Sequence, residues 1–229
     1  MIAAGLAYEH VAFDLDGTLI DSRADLASAV NHVLRSFGLP ELPPTTLYRY
    51  VGEGARMLVE RALGPAHQDR VAEALAAFLA YYGRHLLDAT RAYPGIDAML
   101  RALAGRGVAL SVLTNKPVAM SRAILDGLGL GSRFVDVVGG DSLPTRKPDP
   151  AGLEMLRART GTPPHRMLLV GDSAIDVRTG RAAGIPFVGV TWGLTPDGLL
   201  AAAPERVIDD PGALVAIVDG VPAARVASH

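Results

Sequence analysis

A chain of 229 residues has room for one large domain, or for a core with a smaller companion, and 49% hydrophobic against 20% charged residues excludes an intrinsically disordered chain. Lysine plus arginine total 22 against 24 acidic residues, with neither sign gathered into a long block, so a nucleic-acid partner is not expected. The lack of cysteine excludes disulfides, thiolate metal sites and cysteine nucleophiles together.

The N-terminal MIAAGLAYEH lacks the basic start and apolar middle of a secretory signal. The longest uncharged apolar stretch, Ala74 to Tyr82, is far shorter than the roughly 20 residues of a membrane span. A cytoplasmic protein without a membrane partner, monomeric or homodimeric, is the expectation. His10 to Phe13 is the first apolar run and predicts a buried strand. The next, Val108 to Leu113, comes more than 90 residues later, where one crossover helix would suffice. The interval therefore holds an insertion. It carries amphipathic helical patterns at Ala24 to Phe37, Ala55 to Leu63 and Asp69 to Leu87, broken around Pro40 to Pro44 and at Gly64-Pro65. The expected division is residues 1–21 as the first core segment, 22–92 as a helical cap and 93–229 as the second core segment.

Tyr93-Pro94-Gly95 returns the chain to the core, because proline is well tolerated in a first helical turn. Further strands are predicted at Phe134 to Val138, Arg166 to Val170 and Phe187 to Val190. Helices are predicted at Pro117 to Leu128 and Pro150 to Arg159, with Gly129 and Gly161 as stops. Strands that alternate with helices imply an α/β fold whose parallel sheet is covered on both faces. The terminal Ala-Arg-Val-Ala-Ser-His is expected to be mobile.

Polar clusters follow directly on the apolar runs. They are Asp14-Leu15-Asp16-Gly17-Thr18, Thr114-Asn115, Lys147-Pro148-Asp149 in a loop beyond the third strand, and Gly171-Asp172-Ser173 with Asp176. In an open parallel sheet ligands bind beyond the carboxyl ends of the strands, so these segments converge on one pocket. Residues i and i+2 on an extended chain point the same way. Asp14 and Asp16 then crowd one site, where repulsion demands a cation or a shared proton, and a hard ion such as Mg2+ suits them. Asp172 and Asp176 straddle a strand-to-helix junction, where either could simply cap the helix. Several carboxylates in one pocket need an offsetting charge, and Lys147 is the candidate. Thr114 could donate to a phosphate oxygen.

These segments resemble the four motifs of the haloacid dehalogenase-like hydrolase superfamily, and in particular its phosphoglycolate phosphatase-like members. The first motif is similar to Phe13-Asp14-Leu15-Asp16-Gly17-Thr18-Leu19, and the second to Leu113-Thr114-Asn115-Lys116. The third resembles Lys147-Pro148-Asp149-Pro150, and the fourth Val170-Gly171-Asp172-Ser173-Ala174-Ile175-Asp176. All four stand in order, and the resemblance covers all but about the last dozen residues. It implies a Rossmann-like doubly wound sheet in the strand order 3-2-1-4-5, with a cap over the pocket. It implies a Mg2+-dependent phosphatase acting on a small phosphorylated metabolite, 2-phosphoglycolate first. Asp14 would attack phosphorus, and Asp16 would serve as acid and then base. Mg2+ would sit on the Asp14 carboxylate, the Asp16 carbonyl and Asp172. Lys147, Thr114 and the Asn115 backbone N–H would hold the phosphate oxygens, with Asp176, Ser173 and Thr18 in support.

Within the cap, Val51-Gly52-Glu53-Gly54-Ala55-Arg56 lacks the third glycine and preceding strand of a dinucleotide fingerprint. Instead, Arg56 at this loop could meet a substrate carboxylate. The six histidines show no metal spacing and are read as incidental, and Trp192 as packing. A beta-phosphoglucomutase-like enzyme or a pyrophosphatase would carry the same four motifs. A dehalogenase would not need a proton donor at Asp16. A non-enzymatic phospho-switch also gathers Asp, Thr and Lys, but lacks the cap and the second Asp two residues on.

Overall fold

The computed structural model describes residues 6–221; the terminal segment expected to be mobile lies outside them. The chain opens on β1 (His10–Phe13) and a two-residue strand, β2 (Ile20–Asp21). Four helices follow: α1 (Arg23–Ser36), α2 (Pro44–Tyr48), α3 (Ala55–Leu63) and, after a short 3-10 turn, α4 (Val71–Tyr82). The chain returns through β3 (Arg91–Ala92), which pairs antiparallel with β2. It then alternates through α5 (Ile96–Gly105), β4 (Ala109–Leu113), α6 (Val118–Gly127), β5 (Asp136–Val138), α7 (Ala151–Thr160) and β6 (Met167–Gly171). It ends with α8 (Ala174–Ala183), β7 (Phe187–Val190), α9 (Pro196–Ala201), β8 (Val207–Ile208) and α10 (Ala213–Val218).

Six strands form one parallel sheet in the order β5-β4-β1-β6-β7-β8. The five predicted strands keep the expected 3-2-1-4-5 order, and β8 extends the sheet at its edge. Strand alternation explains the two covered faces. Val11 and Phe13 of β1, with Leu168 and Val170 of β6, join Ile96, Leu100 and Leu103 of α5 and Leu214 and Ile217 of α10 in one core. Ala12 and Leu169, one residue out of phase, face Leu153 and Leu156 of α7 and Val177 of α8. His10 shares the Ala12 face. Fully buried, it joins Ser111 of β4 through Nε2 at 2.8 Å to Thr160 of α7 through Nδ1 at 3.0 Å. Burial lowers its pKa to about 4, so it is neutral at neutral pH and acts as a polar brace.

The helices between β2 and β3 bury a core of their own. Leu26, Val30, Val33 and Leu34 of α1 meet Val71, Ala74, Phe78 and Tyr82 of α4, each set at helical spacing, with Leu47, Leu58 and Val59 between them. Four expectations need correction. Helix α4 ends at Tyr82 rather than Leu87: Leu87 packs on the sheet's core, and Leu86 touches both that core and the insertion's own. Pro44 starts the short helix α2 rather than marking only a break, as a proline at the first position allows. Pro94 precedes α5, whose N-cap is Gly95 in the left-handed region at φ 84°. The β2–β3 ladder, a separate two-stranded sheet, pairs the two ends of the insertion where no strand was expected.

Asp25 of α1 ties these crossings together. Its buried carboxylate accepts from the Ala89 and Thr90 backbone N–H groups at 2.8–3.0 Å and from the Thr90 hydroxyl at 2.7 Å. Among the described residues no helix is long and apolar enough to cross a membrane. Asp25→Ala strands the buried N–H and hydroxyl of Thr90 as well as the Ala89 N–H, and is expected to cost about 2–4 kcal/mol in urea unfolding, with Asp25→Asn costing less because it keeps one acceptor. Unfolding curves for Asp25→Ala that overlay the parent's would contradict this role.

Candidate active site

The polar residues lie where the strands stop. Asp14 follows β1, Thr114 follows β4 and Asp172 follows β6, so two neighbours of the central strand present their ends beside it. This is the crevice at which an open α/β sheet binds ligands. Asp14 is fixed by its backbone N–H, which donates to the Val170 carbonyl at 2.9 Å. Lys147 reaches the same place from the loop between β5 and α7.

Lys147 is buried, and its ammonium lies 2.7 Å from both Asp14 Oδ1 and Asp176 Oδ1. Asp172 takes a hydrogen bond from the Leu194 N–H at 2.7 Å and a longer one from the Thr18 hydroxyl at 3.4 Å. Asp14, Asp172 and Asp176 each offer one carboxylate oxygen, and these oxygens lie within 4.8 Å of one another. Three carboxylates against one ammonium leave a formal excess of two negative charges, an all-oxygen set that fits a hard divalent cation. Burial pushes the Asp14 carboxyl up to about 7 against the pull of Lys147. Burial, with Asp14 and Asp176 nearby, pushes Asp172 up to about 8. Burial alone would lower the Lys147 pKa, yet the charges of Asp14 and Asp176 outweigh it and hold it above the ordinary lysine range.

Glycines let the backbone come close here. Gly17 has φ 85°, and a Cβ on it, or on Gly193, would overlap Asp172. A Cβ on Gly171 would fall 2.5 Å from the Asp176 side chain. Asp176 also caps its helix: Ser173 and Asp176 form a reciprocal capping box at the start of α8. Capping and contact with Lys147 thus coexist in one side chain, one oxygen serving each.

Asp16 stands apart from this cluster and has its own cation. Its carboxylate accepts from the Ser22 hydroxyl at 2.5 Å and from Lys116 Nζ at 2.8 Å through both oxygens. Burial opposes the Lys116 charge, but Asp16 more than compensates and raises its pKa. The offsetting charge expected of Lys147 is thus shared with Lys116, and Ser22 joins it on Asp16. Lys116 closes the second motif, two residues after Thr114, and that position is its one signal in the sequence. Thr114 is buried and its hydroxyl accepts from the Lys116 N–H at 3.2 Å. Trp192 packs against the core and donates from Nε1 to the Thr18 carbonyl at 3.1 Å.

Asn115 clamps the inserted helices onto the sheet, its amide donating to the Gly52 and Lys147 carbonyls at 3.1 Å each. The space so covered is a narrow cavity between the insertion and the strand ends. The core contributes Asp14, Asp16, Thr114, Asn115 and Lys116, and the insertion contributes mainly apolar side chains, among them Leu26, Leu58, Phe78 and Tyr82. Arg56 is not among the lining residues: it sits on the exposed side of α3, which turns Leu58 and Val59 inward. The expectation that Arg56 meets a substrate carboxylate is therefore corrected.

Residues 11–190 match the family described as haloacid dehalogenase-like hydrolase. The chain is 43% identical to a phosphoglycolate phosphatase of Rhodospirillum rubrum, over 87% of this chain and 86% of the relative. It is 44% identical to one of Pseudomonas putida, over 90% and 78% respectively. Among solved structures it is similar to a predicted phosphoglycolate phosphatase from Haemophilus somnus, with TM-score 0.87 and 33% identity, covering 92% of this chain and 98% of that one.

The raised carboxyls give the metal-free protein a pH signature. Between about pH 4 and 8 the folded chain keeps protons at Asp14 and Asp172 that the unfolded chain has released, so this pair's contribution to stability falls as pH rises. In chelator, thermal unfolding of Asp172→Asn should show a shallower decline over that window than the parent, and a divalent cation should raise the parent's midpoint at about pH 8. Parallel curves for the two proteins would contradict the charge crowding.

Proposed function

Because the chain belongs to the haloacid dehalogenase-like hydrolase family and is a phosphoric monoester hydrolase, we propose that it hydrolyses 2-phosphoglycolate with Mg2+, by way of an aspartyl phosphate on Asp14. The observation that carries the reading is the buried carboxylate of Asp14, pinned by Lys147 at the end of the central strand and open to the covered cavity. The names of the relatives support the substrate.

In this proposal an Asp14 carboxylate oxygen attacks phosphorus while the bond to the ester oxygen breaks, and Asp16 gives its proton to the departing alkoxide. Water then attacks the phosphoryl group, Asp16 takes the proton from that water, and the Asp14–phosphorus bond breaks to return the free carboxylate. Ser22 and Lys116 keep Asp16 in the cavity wall for both transfers. Lys147 and the Thr114 hydroxyl hold the phosphoryl oxygens, and Asp176 positions Lys147. Asp14, Asp172 and the Asp16 carbonyl, with Asp176 behind them, would hold Mg2+. Bound there, the ion supplies positive charge that offsets the repulsion between carboxylate and phosphate, several kcal/mol at about 4 Å and intermediate dielectric. The inserted helices act as a cap that excludes bulk water.

Phosphate release from phosphoglycolate, hexose phosphates, nucleotides and pyrophosphate tests the reading. Phosphoglycolate should be turned over fastest, chelation should abolish turnover, and Asp14→Asn and Lys147→Ala should fold yet lose about 10³-fold or more in kcat. Fast pyrophosphate hydrolysis with slow phosphoglycolate would replace this substrate, and an active Lys147→Ala would remove that residue from the mechanism.

A further inference from the structure

Two buried groups in the covered cavity have donor capacity that the chemistry above does not use. Lys116 carries three N–H donors, and Asp16 takes two of them. The side chain is 4% exposed, and Nζ lies 4.9 Å from the centre of the Tyr82 ring. Tyr82, itself 1% exposed, has a buried hydroxyl whose polar neighbour is the Lys116 ammonium, at longer than hydrogen-bond distance, and whose own proton has no acceptor. Native proteins seldom leave a buried hydroxyl unpaired, so one at a cavity wall marks a place where a ligand atom belongs. Lys116 is also the one cation among the residues lining this cavity, where the neighbours from the cap, such as Leu58 and Phe78, are apolar.

We propose that Lys116 Nζ and the Tyr82 hydroxyl together bind a carboxylate on the substrate's leaving group, and so select phosphate esters of short 2-hydroxy acids. The inference rests on the phosphatase reading and on Asp16 as the proton donor to the leaving oxygen. In such an ester the bridging oxygen and the carboxylate are attached to the same carbon. A receptor for the carboxylate must therefore stand directly beside the group that protonates the oxygen. Lys116 does so, in contact with Asp16 at 2.8 Å. A carboxylate has two oxygens, one for each donor, and the apolar cap wall offers a neutral polyol chain few partners. This pair replaces the role first expected of Arg56.

Matched esters separate this claim from the assignment of phosphoglycolate. Phosphoglycolate is compared with ethyl phosphate, and 2-phospholactate with isopropyl phosphate, in the parent, Tyr82→Phe and Lys116→Met, each checked for folding by circular dichroism. The parent should prefer the carboxylate ester of each pair by about 10²-fold or more in kcat/KM. Tyr82→Phe should cut that ratio about tenfold, mainly through KM, and Lys116→Met should cut it further. Equal losses on both members of a pair overturn the subsite and leave the phosphoglycolate reading standing. A preference for phospholactate that the variants erode upholds the subsite and displaces phosphoglycolate. No preference for either carboxylate ester in the parent overturns the subsite, whichever phosphate is hydrolysed best.

Discussion

Three carboxylates and one lysine, buried at the carboxyl ends of the central strands of a parallel sheet, set the terms for everything around them. Asp14, Asp172 and Asp176 converge because successive segments end at the same rim, and Lys147 arrives from a loop to meet two of them. Such a cluster is expensive when the charges do not balance, since desolvation penalises each ion and like charges penalise one another. The surroundings make it tolerable by close backbone approach. Gly17, Gly171 and Gly193 leave no room for a side chain, and the Leu194 N–H and Ser173 hydroxyl fill carboxylate lone pairs.

A second, smaller charge centre mirrors the first. Asp16 and Lys116 pair under the inserted helices, and the Asn115 amide ties Gly52 of the insertion to Lys147 of the core. Opening the cavity therefore breaks a specific polar latch, while Asp25 holds the segment leading into β3 against α1. In the proposed mechanism the sheet holds the reacting groups, and the insertion determines what can lie against them. This division follows from packing: the insertion has its own hydrophobic core and contributes mostly apolar wall.

Much of this architecture is legible in the sequence, for physical reasons. Buried parallel strands must be apolar throughout, so His10 to Phe13 and its counterparts stand out, and the long gap before Val108 announces an insertion. Elements of two residues, such as β2, β3 and β8, carry no periodic signal, and they form because neighbouring segments present edges to pair with. The pattern through Leu86 and Leu87 continues the helical spacing of α4, although Leu87 serves the sheet's core and Leu86 bridges the two cores. At the site, the four motifs gather as their positions after the strands imply. Arg56 faces outward, because Leu58 and Val59 determine which side of α3 is buried. Lys116 and Tyr82 meet across the boundary between sheet and insertion, a contact between segments that spacing along the chain does not encode.

The account turns on Asp14 forming a bond to phosphorus. The most direct measurement is to quench the enzyme during turnover of phosphoglycolate, reduce it with tritiated borohydride, which converts an acyl phosphate to an alcohol, and locate the label by peptide mass spectrometry. Tritium on residue 14, dependent on both substrate and metal, is the predicted result. Label on another carboxylate, or none while turnover continues, would contradict it.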